Sequence, residues 1–197
     1  MLTALSQKVQ RRASGRNVLV LLLLFFAFNM AVIPPVIANF GAMSNGVGIV
    51  DLLYSYTPEE LYSHIASFDV QGRQLYMLHE LTLDILYPMI SALLFSLAIA
   101  YLLKRTLPAT HPMQCLALVP LAAMLVDYLE NICIVLTLAS YPERLSSLAQ
   151  IANVFTVSKW ALAYAELLLI VGSLIGFLFQ KVRKTVLTAR TSPGGTS

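Results

Sequence analysis

The chain has 197 residues, of which 58% are hydrophobic and only 12% are charged, and its mean hydropathy is +0.75. A soluble domain carries about 25% charged residues, so this composition excludes an ordinary soluble domain and predicts an all-α polytopic membrane protein. The net charge of +3 comes from basic segments that flank the apolar ones, and it gives no support to nucleic-acid binding.

The first element is a short basic tail, residues 1–17, followed by a predicted membrane span at about 18–37. The run from Val18 to Ile33 is predominantly apolar, and Val36-Ile37-Ala38 follows it. A secretory signal with a cleavage site has the same order of features, but its apolar core is usually ~7–15 residues long. Because this run is longer and Pro34-Pro35 follows it, we favour a retained membrane helix over a cleaved signal.

An outer loop is predicted at residues 38–75, and its first half, which contains several Gly, Ser and Asn residues, is expected to be irregular. The segment Thr57-Pro58-Glu59-Glu60 is a capping box with proline at the first helical position. Three apolar residues then share one helical face: Leu61, Ile65 and Phe68. These features predict an amphipathic helix over about 58–69 that ends near Gly72 and lies on the membrane surface or over the end of the bundle.

Three further apolar segments predict spans at about 76–103, 114–140 and 149–180, each long enough to cross ~30 Å of hydrocarbon. The connections between them are short, and short connections make consecutive helices antiparallel neighbours. The sequence therefore predicts an antiparallel four-helix transmembrane bundle over residues 18–180. The remainder, 181–197, is expected to be a tail that is disordered from Thr191 onward.

The distribution of charge predicts the orientation of the bundle. Three segments on one side hold ten of the thirteen basic residues and no acid: Lys8, Arg11, Arg12, Arg16, Lys104, Arg105, Lys181, Arg183, Lys184 and Arg190. The other side carries Arg73 and Arg144 against five acids: Asp51, Glu59, Glu60, Asp69 and Glu143. The positive-inside rule therefore predicts a multi-pass protein of the plasma (inner) membrane with both termini in the cytoplasm.

Neither the cysteines nor the histidines predict a metal or a cofactor. Cys115 and Cys133 lie in one span, ~27 Å apart along a helix, and cannot form a disulfide with each other. No span contains Cys or His residues at zinc-ligand spacing. An all-carboxylate site would suit a hard cation such as Mg²⁺ or Ca²⁺, but Lys159 competes for that position, so we expect no metal and no cofactor.

Ionisable side chains inside the predicted spans are the most informative feature, because a charge in hydrocarbon costs roughly 2.5–3.5 kcal/mol or more. They form one polar stripe per helix. The stripes are Glu80, Asp84, Tyr87 and Ser91; Asp127, Glu130 and Asn131; and Lys159, Ala163, Glu166 and Ser173. Lipid cannot solvate them, so we expect them to face a common interior, with His79 and Glu80 at its outer rim.

The charges of this set do not balance, because four carboxylates face one ammonium group (Asp84, Asp127, Glu130 and Glu166 against Lys159). A net charge of about −3 is not sustainable at low dielectric, so some carboxyls hold a proton or a cation is present. A carboxyl kept neutral in this way can act as a general acid or as a proton relay.

Several of these residues also admit a purely structural role. Asp127, Glu130 and Asn131 could form a hydrogen-bond network that locks the bundle, and Lys159 with Glu166 could form a simple interhelix salt bridge. Pro88 is expected to free the carbonyl of Asp84, which suits a site or a packing kink. The Gly172-x-x-x-Gly176 motif predicts close helix packing, and Trp160 fills the core or lines a pocket.

Two segments stand out together. One runs from Glu59-Glu60-Leu61-Tyr62 through Gln71-Gly72-Arg73-Gln74-Leu75-Tyr76 to Leu83-Asp84-Ile85-Leu86-Tyr87-Pro88, and the other is Leu125-Val126-Asp127-Tyr128-Leu129-Glu130-Asn131. In this order, over about residues 17–180, they resemble a group of small, uncharacterised bacterial four-span integral membrane proteins. The resemblance implies the four-helix fold and a bacterial plasma membrane, and it implies no activity.

The residues favour an intramembrane site that binds a small lipophilic molecule or acts on it by acid–base chemistry. The candidate catalytic residues are Asp127, Glu130 and Asp84. The candidate ligand-binding residues are Asn131, Lys159, Glu166, Tyr87, Glu80 and Trp160. Two alternatives stay open: a small proton-linked transporter that forms an oligomer, and a structural or assembly subunit of a membrane complex. The expected partners are membrane lipid and a lipophilic or cationic ligand.

Overall fold

The computed structural model describes residues 2–191, and this part of the chain is α-helical without a strand. The helices are α1 (Leu2–Arg12), α2 (Gly15–Ala31), α3 (Ile33–Met43), α4 (Pro58–Ser67), α5 (Val70–Glu80), α6 (Leu83–Thr106), α7 (Val119–Ser140) and α8 (Ser146–Thr191). Two 3₁₀ turns, Val50–Leu52 and Pro112–Leu118, complete the elements. The expected disorder at the carboxyl end falls on 192–197, outside the described residues.

Four helical segments are long and apolar enough to cross a membrane: Gly15–Met43, Val70–Thr106, Pro112–Ser140 and Ser146–Arg183. Their most apolar windows have mean hydropathies between 1.8 and 2.4. This arrangement confirms the prediction of an all-α four-helix bundle, with the helical composition of a multi-pass membrane protein. The flanks differ from the prediction, because α1 occupies the expected amino-terminal tail and α8 continues through residues 181–191.

Two of the four segments are interrupted helices, and prolines in the sequence explain the first break. α2 passes into α3 at Val32, next to Pro34 and Pro35, which lack the N–H groups that continue a helix. α5 passes into α6 at Leu81 and Thr82, where the Thr82 hydroxyl donates to the Leu78 carbonyl at 2.6 Å. The second span was predicted as one helix over 76–103, and the structure makes it two.

The bundle is not symmetric, because α6, α7 and α8 all pack against one another while α2 packs mainly on α6. No residue of α2 is buried. The described chain is therefore a three-helix core with α2 as an outer helix. The Gly172-x-x-x-Gly176 motif does not pack within it, since a Cβ added at either glycine would meet nothing within 4 Å.

The loop between α3 and α5 folds into a cap, residues 44–69, which covers one end of the bundle. The capping box at Thr57 and Glu60 is present in both directions, and the Thr57 backbone N–H that donates to the Glu60 carboxylate lowers the pKa of Glu60. The predicted apolar face is buried against α5, α7 and α8 through Leu61, Tyr62, Ile65 and Phe68. α4 therefore lies over the bundle end.

The end of α4 differs from the prediction. Asp69 begins the next helix by accepting from the Gly72 N–H at 2.7 Å, so Gly72 lies inside α5 rather than at a helix end. A Cβ at this glycine would come within 3.0 Å of the Phe68 ring. The glycine is therefore required by close packing of the cap and not by a turn.

The opposite end, which we call the basic end, is closed by α1. Ser6 donates to the Gln114 carbonyl at 2.9 Å, and the Lys104 ammonium group donates to the carbonyl of Ala13. Leu97, Ile99, Ala100, Leu103 and Ala117 form a buried apolar cluster here, with Leu169 and Ile170 packed against it. The basic end thus has an apolar core, and a groove of about 970 Å³ lies beside it between α1, α2, α6 and α7.

Candidate intramembrane binding site

An elongated cavity of about 340 Å³ lies inside the bundle. Its walls come from α3, α6, α7 and α8, and the turn at Val50–Leu52 closes its cap end. From Leu83 to Phe95 it follows α6 for ~18 Å at the helical rise of ~1.5 Å per residue. The lining is mainly apolar, and its ionisable or hydroxyl-bearing members are Asp51, His79, Asp84, Tyr87, Ser91, Asp127, Lys159 and Glu166.

Lys159 organises the polar part of the cavity wall. Its ammonium nitrogen lies 3.1 Å from Asp127 Oδ1 and 2.6 Å from Glu130 Oε2. Asp127 and Lys159 line the cavity, whereas Glu130 does not and its side chain is fully buried. Asp127 can therefore meet a ligand directly, while Glu130 acts through Lys159. Lys159 therefore forms interhelix salt bridges, whereas Glu166 takes part in no ion pair among residues 2–191.

Glu130 is held on its other side by two hydroxyl groups. Thr156 Oγ1 lies 2.7 Å from Glu130 Oε1 and 3.1 Å from the Tyr56 hydroxyl oxygen. Burial raises the pKa of Tyr56, so its hydroxyl keeps its proton at neutral pH. The ion pair is therefore anchored to the cap as well as to α7 and α8.

The interruption of hydrogen bonding by Pro88 positions Asp84. Because Pro88 has no N–H, the Asp84 carbonyl is free to accept from Asn131 Nδ2 at 3.0 Å. The Tyr128 hydroxyl donates to the next carbonyl, that of Ile85, at 2.9 Å. The expectation that Pro88 frees the Asp84 carbonyl is confirmed, and the freed group joins α6 to α7.

The cap is joined to α8 beside the cavity. Trp160 lines the cavity and donates its indole N–H to the Leu53 carbonyl at 2.7 Å. Asn153 Oδ1 accepts from the Ser55 hydroxyl at 3.0 Å and from the Tyr56 N–H at 2.9 Å. The extended segment 53–57 is therefore fixed along α8, and Trp160 is a wall residue at the cap end rather than core filling alone.

A second group of carboxyls lies at the cap end. Asp51, Glu80 and Asp84 each bring an oxygen within 4.8 Å of the other two. Glu80 is fully buried and does not line the cavity, and His79 is only 9% exposed. The expectation of Glu80 and His79 at an outer rim is therefore wrong: the cap folds over this end and buries both. Of the two, only His79 reaches the cavity wall.

The remaining predicted residues fall into two groups. Tyr87 and Glu166 line the cavity, Tyr87 beside the Phe25 and Phe28 rings of α2 at 5.9 Å between ring centroids. Asn131 is buried behind Asp84 and does not line the cavity. The structure thus brings Asp84, Tyr87, Asp127, Lys159, Trp160 and Glu166 to one surface. It places Glu80, Glu130 and Asn131 behind that surface.

The cavity is least enclosed on the side of α3. Within residues 2–191, α2 and α3 make no extensive contact with α7 or α8, although α3 forms one wall of the cavity. Several lining residues of α8 stay accessible, Ala163 among them. Among the described residues, the gap between α3 and α8 is therefore the least covered part of the cavity wall.

Three residues of the site were not predicted from the sequence. Asp51 lies in the outer loop with three other acids, and nothing local distinguishes it from a solvated side chain. Tyr56 directly precedes the capping box, and no pattern in the sequence around it indicates that its side chain is buried. Thr156 lies three residues before Lys159 in α8, so the two side chains share a helical face. This spacing is the one pattern that could have indicated Thr156.

The chemistry of the site is that of an acid–base and ion-pair centre beside an apolar cavity. Asp127 and Asp84 can accept or donate a proton at the wall, and Lys159 supplies a fixed positive charge. The three clustered carboxyls offer oxygen ligands, the type that hard cations prefer. A scan against protein-family models, a search of curated proteins and a search of solved structures each found nothing that matches the chain.

Proposed function

We propose that this chain is an integral membrane protein that binds a small lipophilic molecule in the cavity between α3, α6, α7 and α8. The ligand's apolar body would lie along Phe95, Pro120 and Ala123. Its polar end would meet Lys159 and Asp127, which are the charged pair on the cavity wall. The observation that carries the proposal is this combination of an apolar cavity with one ion pair on its surface.

The size and surroundings of the cavity support a small ligand. Ligand pockets are usually about 300–1,000 Å³, and about 340 Å³ is at the lower end of that range. The side between α3 and α8 would face the hydrocarbon, which suits an isoprenoid-like or other lipid-derived molecule better than a water-soluble one. Asp127 or Asp84 would donate a proton or a hydrogen bond to its polar group.

Two features weigh against the alternatives from sequence. A proton-linked carrier needs a continuous polar path to both ends. Beyond Glu166 the cavity meets the apolar cluster around Leu97 and Ile170, and the groove at the basic end shares no lining residue with the cavity. An assembly subunit would direct its polar stripes outward, but these stripes face the interior. The binding function therefore has the better support.

We further propose the plasma membrane of a bacterium as the location, with both termini in the cytoplasm. The asymmetry of basic residues supports this orientation. The resemblance to bacterial four-span proteins supports the type of membrane. In this orientation the cap would face the outside.

The proposal predicts that filling the cavity displaces the bound molecule. Ala123 lines the cavity and Ala122, its neighbour in α7, is exposed and does not. The variant A123F should lose an organic molecule that the wild-type protein retains after purification in lipid nanodiscs, and A122F should retain it. Mass spectrometry of an organic extract, normalised to protein, measures the occupancy.

Two results would overturn the proposal. One is a wild-type protein that yields only the lipids of the nanodisc in bulk proportion. The other is equal retention of the molecule by A123F and A122F. The variant Asp127→Asn distinguishes an acid–base role of Asp127 from a role in binding alone. If Asp127 only binds the ligand, the variant should have lower occupancy. If Asp127 donates a proton, occupancy should stay the same and the ratio of ligand forms in the extract should change.

A further inference from the structure

The carboxyls of Asp51, Glu80 and Asp84 are brought together from three elements. Asp51 lies in the 3₁₀ turn of the cap, Glu80 is the last residue of α5, and Asp84 is in the first turn of α6. One oxygen of each lies within 4.8 Å of the other two. The break between α5 and α6 is what allows Glu80 and Asp84 to meet a residue of the cap.

Most oxygens of this cluster lack a hydrogen-bond partner. Glu80 is fully buried, and neither of its carboxylate oxygens is bonded. The same holds for Asp84 Oδ2 and Asp51 Oδ1. Asp51 Oδ2 accepts from the Tyr76 hydroxyl at 2.6 Å. A buried acid without partners is costly, so this site needs protons or a cation.

The cluster has no counter-charge of its own. In the described part of the chain, the buried ammonium group of Lys159 makes its ion pairs with Asp127 and Glu130. Lys159 was expected to compete with a cation for the carboxylates, but it pairs with two carboxylates outside this cluster. Three acids are therefore left together without a basic partner.

Two further buried ligand atoms border the cluster and are also unpaired. Asn131 is 4% exposed and is fixed by its amide nitrogen on the Asp84 carbonyl, while its own Oδ1 has no partner. His79 is 9% exposed and lines the same cavity wall as Asp51 and Asp84, and its Nδ1 has no partner. Unpaired acceptors of this kind are what a cation requires, and they are independent of the carboxyl cluster itself.

We propose that Asp51, Glu80 and Asp84 bind one hard divalent cation that joins the cap to the junction of α5 and α6. Calcium fits the spacing best. Ligand oxygens at 2.3–2.6 Å from Ca²⁺ stand up to roughly 5 Å apart, whereas those around Mg²⁺ at 2.0–2.1 Å stand up to about 4 Å apart. The largest separation allowed by the cluster, 4.8 Å, needs no contraction for Ca²⁺.

This cation site adjoins the cavity of the proposed lipophilic ligand, because Asp51 and Asp84 line that cavity. With the ion bound, Asp127 is the carboxyl left to donate to the ligand. Glu80 does not line the cavity, and Ala123 lies near its other end. The ion would hold the turn at Val50–Leu52 in place and so close the cap end of the cavity. Its two positive charges would also offset two of the three carboxylates in the cluster.

The test uses the full chain in a zwitterionic detergent after washing with a chelator. Titration with CaCl₂ in a calorimeter should show one Ca²⁺ per chain, and Ca²⁺ should raise Tm where KCl of equal ionic strength does not. Glu80→Gln removes one ligand without changing shape, and we expect at least a tenfold weaker affinity and no rise in Tm with Ca²⁺. Glu59→Gln removes an exposed carboxyl of the cap and should behave as the wild type.

Each outcome decides the proposal. A wild-type protein whose Tm does not respond to millimolar Ca²⁺ overturns it and indicates protonated carboxyls instead. Equal Ca²⁺ responses in Glu80→Gln and the wild type also overturn it. If Glu80→Gln does not fold, Asp51→Asn on the cap replaces it. The A123F variant should keep the full Ca²⁺ response, so failure of the cation site and failure of the lipophilic site are distinguishable.

Discussion

At the scale of single residues, Lys159 has the largest effect on the interior. Its ammonium group pairs with both Asp127 and Glu130, and the second of these is fully buried. In a low dielectric, an ion pair gains little net stability when it is complete, but removing one member leaves the other charge uncompensated. The contribution of Lys159 to stability is therefore seen mainly when the residue is replaced.

We expect Lys159→Met to destabilise the protein by about 3–5 kcal/mol, measured as the free energy of unfolding in a mixed-detergent titration. The triple variant that adds Asp127→Asn and Glu130→Gln should recover most of this loss, because it removes the stranded carboxylates. Lys181→Met, at an exposed position of α8, is the matched control and should be neutral. A stable Lys159→Met protein would contradict this account of the interior.

The sequence predicted correctly those residues whose inward orientation is required by the hydrocarbon around the helices. Asp84, Asp127 and Lys159 had to face inward because lipid cannot solvate them, and all three line the cavity. The prediction failed for Asp51 and for the choice of partner of Lys159. The position of Asp51 depends on how the cap meets α5 and α6. The partners of Lys159 depend on how α7 meets α8. Both are tertiary contacts that a local sequence pattern does not specify.

At the scale of elements, α6 shows how a local break creates a contact between helices. Pro88 removes one hydrogen bond from α6, and Asn131 and Tyr128 of α7 take the two carbonyls nearest the break. The periodic pattern and Pro88 indicated the freed carbonyl. The break at Leu81–Thr82 was missed, because no proline or glycine marks it and its cause is the docking of α5 under the cap.

A double-mutant cycle tests the pairing of Pro88 with Asn131. Asn131→Leu should cost about 1 kcal/mol, the scale of one interhelix hydrogen bond in a membrane protein. In a Pro88→Ala background it should cost less, because residue 88 again donates to the Asp84 carbonyl. The measurement is the free energy of unfolding in the presence of a chelator.

The control for this cycle is Ser158→Ala, which removes a bond that stays within α8 and should show no coupling to Pro88→Ala. Equal costs of Asn131→Leu in the two backgrounds would mean that the contact between α6 and α7 does not depend on the proline.

At the scale of the whole molecule, the fold is a three-helix core with an outer helix and a cap. The number of spans followed from hydropathy alone, since each segment is longer than the hydrocarbon thickness. The asymmetry did not, because α2 is as apolar as the core helices and only its lack of ionisable residues after Arg16 distinguishes it. A helix without a polar stripe has no reason to enter the polar interior.

The proposed orientation can be tested with single cysteines in a background in which Cys115 and Cys133 are replaced by alanine. Glu143→Cys lies in the turn before α8 at the cap end, and Lys181→Cys lies at the basic end. A membrane-impermeant maleimide added to intact cells should label the first and reach the second only after permeabilisation. The reverse pattern would place the cap in the cytoplasm.

The break at Val32 has one more consequence. From Gly15 to Met43 the first span would extend ~43 Å as a straight helix, well beyond a hydrocarbon thickness of ~30 Å, and such an excess is relieved by tilting or kinking. Here the excess length is α3, the least supported wall around the ligand. The shape of that wall would then follow the acyl-chain length of the host lipids, so bilayer composition itself becomes an allosteric input to the protein.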